Sequence, residues 1–346
     1  MVKIAIAGAS GRMLPFKFHS AISQLRTVLA GDIELAREIL DGLVDAGRHE
    51  IVGLVRKNPS SFPALSGVQW VQTNYEDTSE LVRLLSGVHT VLCFFIAHKD
   101  SEGAAQKRLI DAAVDAGVKR YAASEWSIGT KLGEIRNIVP WYASKLDVRT
   151  YLQELNRGEK VLEYTLFHPG LFMNYLGYPH STTKHLTLFP VSFDFKDMHA
   201  IADQKHLESK VTYTAVEDIV AVVVRAVEYK GEWPTVGGMI GSEVTVARLL
   251  ELGEQIRGKS WNIEWVEEND LQAGVLKTNW LPTLPDTTMA DFPKDQQEAF
   301  SRAIVIGTLI ATARGAWAAT NEWNQLLPDY EFTSLETFLR KVWSQK

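Results

Sequence analysis

Met1-Val2-Lys3-Ile4-Ala5-Ile6-Ala7-Gly8-Ala9-Ser10-Gly11 runs a short apolar segment straight into a glycine-rich turn. Val2–Ala7 reads as a first β-strand, since glycine arrives too soon for a signal peptide or a long helix. A glycine turn directly after such a strand lets the backbone approach a pyrophosphate, whose charge is met by amides at the start of the next helix. Gly8, Ala9, Ser10 and Gly11 are therefore candidate cofactor contacts. The usual fingerprint places a third glycine three residues after the second. That slot holds Leu14.

Working outward, short apolar runs alternate with helical segments: Ile51–Val55, Val68–Val71, Thr90–Ile96, Lys119–Ala122 and Tyr164–Phe167 read as further strands. Between them, Ala36, Ile39, Leu40, Leu43 and Val44 recur at helical spacing and stop at Gly47, and Ala104–Ala116 stops at Gly117. Alternation of this kind predicts parallel strands joined by crossover helices. The expected fold is α/β, a Rossmann-type doubly wound parallel sheet with a smaller C-terminal α/β substrate lobe. The Rossmann domain is expected over 1–166 and 211–232, and the lobe over 167–210 and 233–346. Thr214-Ala215-Val216-Glu217 and Thr333-Ser334-Leu335-Glu336 match the capping-box pattern that opens a helix.

The end of the second strand reads Val55-Arg56-Lys57-Asn58. A carboxylate there would hold the ribose hydroxyls of NAD, whereas a guanidinium suits a 2′-phosphate through paired, charge-assisted hydrogen bonds. Arg56 and Lys57 thus point to NADP(H). Arg56 lies 48 positions after Gly8, where a short βαβ half-unit needs roughly 25. The surplus falls on Arg12–Ala30, which carries Arg12, Lys17, His19 and Arg26 and no acidic residue. Two origins stand open, a genuine insertion beside the cofactor and a retained intron read through in frame.

Composition narrows the field. Hydrophobic residues make up 46% of the 346 and charged residues 23%, with a net charge of −6. No basic stripe offers itself to nucleic acid. No run reaches the ~20 apolar residues of a membrane span, so the expected compartment is the cytoplasm and no membrane partner is expected. Cys93, the single cysteine, sits inside Val91–Ile96 and is expected to be buried and inert. His168, His180, His185, His199 and His206 lack the spacing of a metal site, so no metal is expected.

Beyond the fifth strand come Ser124-Glu125-Trp126 and then Trp141-Tyr142-Ala143-Ser144-Lys145, with Arg149 four residues further on. Ligands of a doubly wound sheet lie outside the carboxyl ends of the strands, which is where Ser124 stands. A lysine near the nicotinamide can hold the ribose and pass a proton to substrate. Together with Phe167-His168-Pro169-Gly170-Leu171-Phe172-Met173-Asn174 and Asn324-Gln325-Leu326-Leu327-Pro328-Asp329, these strings resemble the NmrA-like family of atypical short-chain dehydrogenases. The resemblance is to its isoflavone reductase and phenylcoumaran benzylic ether reductase branch, in fungal form, over nearly the whole chain. It implies an NADPH-dependent reductase with Arg56 at the 2′-phosphate, Lys145 as the catalytic acid/base, and Arg149 as a cofactor contact. The orthodox tyrosine acid would stand four residues before Lys145, and Trp141 is there instead. Trp126, Tyr142, Phe172, Asn174 and Tyr175 are expected to wall a small aromatic or conjugated substrate, and the fungal likeness implies secondary metabolism. The alternative is a non-catalytic dinucleotide sensor that binds a protein partner. A pseudoenzyme scaffold is a third reading.

Overall fold

Ile4 and Ile6 point to one face of the first strand and Ala5 and Ala7 to the other, and all four are fully buried. A strand covered on both faces belongs in the middle of a parallel sheet, where crossover helices lie above and below. A computed structural model of the chain describes residues 1–9, 31–282 and 293–343. The expectations for Ser10, Gly11 and the 12–30 segment lie outside the described residues.

Seven parallel strands make the main sheet: β1 (Lys3–Ala7), β2 (Glu50–Val55), β3 (Val68–Gln72), β4 (Thr90–Cys93), β5 (Arg120–Ala122), β6 (Glu163–His168) and, later in the chain, β11 (Val236–Gly238). Their order is β11-β6-β5-β4-β1-β2-β3. The order reverses between β1 and β4, the position at which doubly wound sheets open a crevice for ligand. On one face lie α1 (Gly31–Ala46) and α5 (Val216–Glu228), whose Ile39, Leu43, Ile219 and Val223 pack with Ile4 and Ile6. On the other lie α2 (Thr78–Leu84), α3 (Ala104–Asp115) and α4 (Ala143–Leu155), whose Leu81, Leu109, Val148 and Leu152 pack with Ala5 and Ala7. Cys93, the single cysteine, is buried.

The smaller lobe holds two three-stranded sheets. One orders β12 (Ser242–Thr245), β10 (Lys210–Thr214) and β7 (Leu171–Phe172); the other orders β13 (Asn262–Val266), β9 (His199–Asp203) and β8 (Phe193–Asp194). Around them pack α6 (Val246–Arg257), α7 (Glu268–Gln272), α8 (Lys294–Ala313), α9 (Glu322–Leu326) and α10 (Leu335–Trp343).

The six early strands lie where their apolar runs place them. Two domain limits differ from expectation. β11, expected in the lobe, completes the main sheet beside β6. Its Gly237 and Gly238 carry no apolar signal, and a Cβ at either would collide with Thr165 or Thr320 at 2.5 and 2.2 Å. Strand β10, expected with the Rossmann domain, pairs instead with β12 and β7. The capping boxes also form differently. Thr214 Oγ1 donates to the Pro169 carbonyl, and the first amide of α5, on Val216, bonds to Asn174 Oδ1 at 2.8 Å. At α10 the cap is Ser334, accepting from Thr337, because Thr333 is bound to Asp218.

Candidate active site

The crevice begins at Gly8, whose φ of +89° and contact with Phe94 leave no room for a side chain, since a Cβ would lie 2.7 Å from the Phe94 carbonyl oxygen. The Gly8 amide donates to Tyr75 Oη at 3.1 Å, and that hydroxyl donates to the Leu54 carbonyl at 2.7 Å. Tyr75, in the loop after β3, is itself at φ +63° and 1% exposed, with Phe95 edge-on at 4.7 Å. A left-handed tyrosine costs roughly 1–2 kcal/mol, which its two hydrogen bonds and buried ring offset. The ring thus ties the turn at Gly8 to the ends of β2 and β4. Sequence reasoning missed it, because nothing in Thr73-Asn74-Tyr75-Glu76 says that the ring turns inward.

Arg56 is exposed at the carboxyl end of β2, its guanidinium over the Tyr75 ring at 5.5 Å. Lys57 beside it is half-buried. Lys99, in the turn after β4, was also missed. Burial first, and then the charge of Arg56, push its ammonium down to about 8. Arg56 follows β2 and Lys99 follows β4, the two strands that flank β1. This donor set fits a phosphate: two cations that repel each other gain by sharing an anion.

Lys145 stands in the first turn of α4, which packs against the Ala97–Lys99 turn, and is 2% exposed. Its Nζ donates to the Glu125 carbonyl and stands 4.9 Å from the centre of the Tyr142 ring. Tyr142 is half-buried, and its hydroxyl accepts from Ser127 Oγ at 3.3 Å. Arg149 lies one helical turn beyond Lys145 and is turned into the protein. Its Nε and Nη2 grip both oxygens of Glu125 at 2.9 and 2.6 Å, and Nη1 reaches the Gly129 carbonyl at 3.1 Å. His168, the last residue of β6, stands 3.3 Å from Nη2. Burial would raise the Glu125 carboxyl, but the Arg149 charge and the hydrogen bonds from Arg149 and His168 outweigh it and hold the group at about 2. Burial lowers His168 against the pull of Glu125. Glu125, present in the quoted Ser-Glu-Trp string but given no role, is thus the centre of the network.

Several expected site residues have other tasks. Ser124 is at the carboxyl end of β5 as expected, with its hydroxyl donating to the Phe95 carbonyl at 2.7 Å and its amide to Gln106 Oε1 at 2.8 Å. The structure places Trp126 in the core instead of on a pocket wall. It is 1% exposed, stacked between Phe94 at 4.6 Å and Phe167 at 4.9 Å, and its indole N–H is spent on the Cys93 carbonyl. Asn174 is fully buried and caps α5, its amide nitrogen bonded to Thr182 and Glu217, so no group is left to meet substrate. Phe172 and Tyr175 stack at 5.8 Å and do line a pocket, an apolar one in the smaller lobe with Leu176, Val211 and Leu309. Lys145 is not among its lining residues. Tyr142 packs in the same apolar cluster as Leu171 and Tyr213 of that pocket.

Comparison with known proteins agrees with this fold. The chain is 23% identical to an oxidoreductase, swnN, of Metarhizium robertsii over 92% of its own length and 97% of that protein. The structure is similar to an NADPH-dependent quinone oxidoreductase of Escherichia coli complexed with NADPH, with a TM-score of 0.62 and 18% identity over 98% of this chain and 99% of that one. It is equally similar to the pinoresinol-lariciresinol and phenylcoumaran benzylic ether reductase structures, with a TM-score of 0.63 and 14% identity over 99% of each chain. The model of the NmrA-like family matches residues 30–339, beginning where the 12–30 segment ends. The chain belongs to the NmrA-like family.

Proposed function

We propose that this chain, an NADP(H)-dependent oxidoreductase of the isoflavone-reductase-like type, reduces a small aromatic or conjugated metabolite with Lys145 as the acid/base. One observation carries the reading: a buried ammonium, that of Lys145, bonded to the Glu125 carbonyl just beyond the carboxyl end of β5. When bound, NADPH supplies a hydride. Gly8 and Ala9 would face its pyrophosphate, and Arg56, Lys57 and Lys99 its 2′-phosphate.

Lys145 has the chemistry to donate a proton to the acceptor oxygen or carbon as negative charge develops there. The Glu125 carbonyl fixes one of its three N–H directions and the Tyr142 ring faces the cation, so the ammonium is aimed before substrate arrives. Arg149 acts one step back, as a positioning residue. By clamping the Glu125 carboxylate it holds the backbone carbonyl to which Lys145 is bonded. Ser124 does similar work by joining the ends of β4 and β5. The proposed setting is secondary metabolism, following the resemblance to fungal members.

NADPH oxidation by the full chain against a panel of quinones and conjugated aromatic ketones tests the reading. Lys145→Met is expected to lower turnover about 10²- to 10⁴-fold, the range for a lost proton donor, with NADPH affinity within about threefold of wild type. Tight NADPH binding without lysine-dependent turnover on any acceptor would overturn it in favour of the dinucleotide sensor.

A further inference from the structure

The apolar pocket of the smaller lobe contains two oxygens with no hydrogen-bond partner among the described residues. Ser192 is 2% exposed, and its Oγ has no hydrogen-bond partner among the described residues. Asp203 is 7% exposed. Its Oδ1 accepts from the Lys205 amide at 2.9 Å, but Oδ2 has no hydrogen bond among the described residues. His206 Nε2 is 3.9 Å from Oδ2, too far to bond, and is held instead by Glu268 at 3.1 Å. Both Ser192 and Asp203 line the pocket, among Phe172, Tyr175, Ile201 and Leu309.

Strand pairing puts the two oxygens on one side. Phe193 of β8 is opposite Ala200 of β9, and the Ile201 amide continues the ladder to the Ser192 carbonyl at 2.9 Å. Ser192 therefore faces Ile201, and Asp203, two residues on, shares that face of the sheet. Diagonal neighbours of this kind stand about 7–8 Å apart at the backbone, within reach of one group between their side chains. An unmet buried hydroxyl and an unmet carboxylate oxygen are costly, and native interiors keep them where something arrives to bond them.

We propose that Ser192 and Asp203 seat a hydroxyl group of the substrate, so that the ligand class is a neutral alcohol or phenol on an apolar frame. The hydroxyl accepts from Ser192 Oγ and donates to Asp203 Oδ2. A carboxylate ligand is repelled by Asp203, and an ether or ketone leaves Oδ2 unbonded. The enclosed volume is about 40 Å³, enough for a polar end group and well short of the ~150 Å³ that holds a benzene ring. The half-buried Leu171, Tyr175, Phe193 and His206 form its less enclosed side, where the apolar frame would lie. Naming this ligand a substrate rests on the reductase reading above; the pairing of hydroxyl to pocket does not.

Calorimetric titration of the full chain, with and without saturating NADP⁺, tests the assignment with three probes: 4-ethylphenol, its methyl ether 4-ethylanisole, and 4-methylbenzylamine. Wild type is expected to bind the phenol at least tenfold more tightly than the ether or the amine. Ser192→Ala should reduce the phenol preference to under threefold. Asp203→Asn can keep Oδ1 on the Lys205 amide while presenting an N–H donor, and is expected to turn the preference toward the ether. NADPH titration of both variants, with unchanged affinity, shows that each has folded. Equal binding of phenol and ether by wild type, tighter binding of the amine, or a phenol preference that survives both substitutions overturns the proposal. Loss of NADPH binding or of lysine-dependent turnover in wild type counts against the reductase reading alone.

Discussion

At the scale of single residues, the crevice is governed by where cations stand and what surrounds them. Arg56 is exposed and rests on Tyr75, so its loss removes the proposed phosphate partner without opening the core. Arg56→Ser is expected to weaken NADPH binding about 10- to 100-fold, the worth of a charge-assisted pair, and to leave NADH nearly unchanged, as read by cofactor fluorescence. Lys99 adds a pH dependence. With its ammonium at about 8 in the free protein, it is charged below that pH and neutral above it. An arriving phosphate favours the charged form, so NADPH affinity should be flat below pH 8 and fall above it, by up to tenfold per pH unit. Lys99→Met should flatten that profile, and a wild-type affinity that does not change from pH 7 to 10 would remove Lys99 from the site. Arg56 was legible in the sequence because its position at a strand end has a defined meaning. Lys99 and Tyr75 were not, because a turn does not announce which of its side chains fold inward.

At the scale of elements, the start of α5 shows how a helix can be capped from outside its own sequence. Thr214 has the residue type for the cap, yet the helix starts one residue later with Ala215 at the cap position, and Asn174 from the turn after β7 supplies the acceptor. The same asparagine bonds Thr182 and Glu217, joining the substrate-side turn to a core helix. Asn174→Ala should therefore cost about 2–4 kcal/mol, more than the ~1 kcal/mol of a surface cap, because buried partners are left unbonded. Urea unfolding measures this, and a loss below 1 kcal/mol would mean that the turn relaxes and the cap is replaced. Periodicity made the helix itself plain, with apolar residues along Ile219–Val227. It could not assign the cap, because a local pattern is indifferent to a partner 42 positions away.

At the scale of the whole molecule, Glu125, Arg149 and His168 join the ends of β5 and β6 to α4 through one buried charge network. Removing one member of a buried pair leaves the other unpaired. Glu125→Gln should cost about 3–5 kcal/mol at pH 7. The carboxyl sits at about 2 in the folded chain against an ordinary 4.5, so its stabilisation is complete above pH 4.5 and is lost as pH falls toward 2. The gap between wild type and Glu125→Gln should narrow over that window, and a constant gap in urea midpoints from pH 7 to 3 would refute the pairing. The sequence by itself determined the parallel sheet, its first six strands, the turn at Gly8 after β1 and the basic end of β2, because each is written in local period and residue type. Only the tertiary structure decided that Trp126 is core, that Arg149 serves Glu125, that two glycines complete the sheet as β11, and that Ser192 and Asp203 share a pocket. Those outcomes depend on which surfaces meet across long stretches of chain, and burial, unlike periodicity, is a property of the meeting.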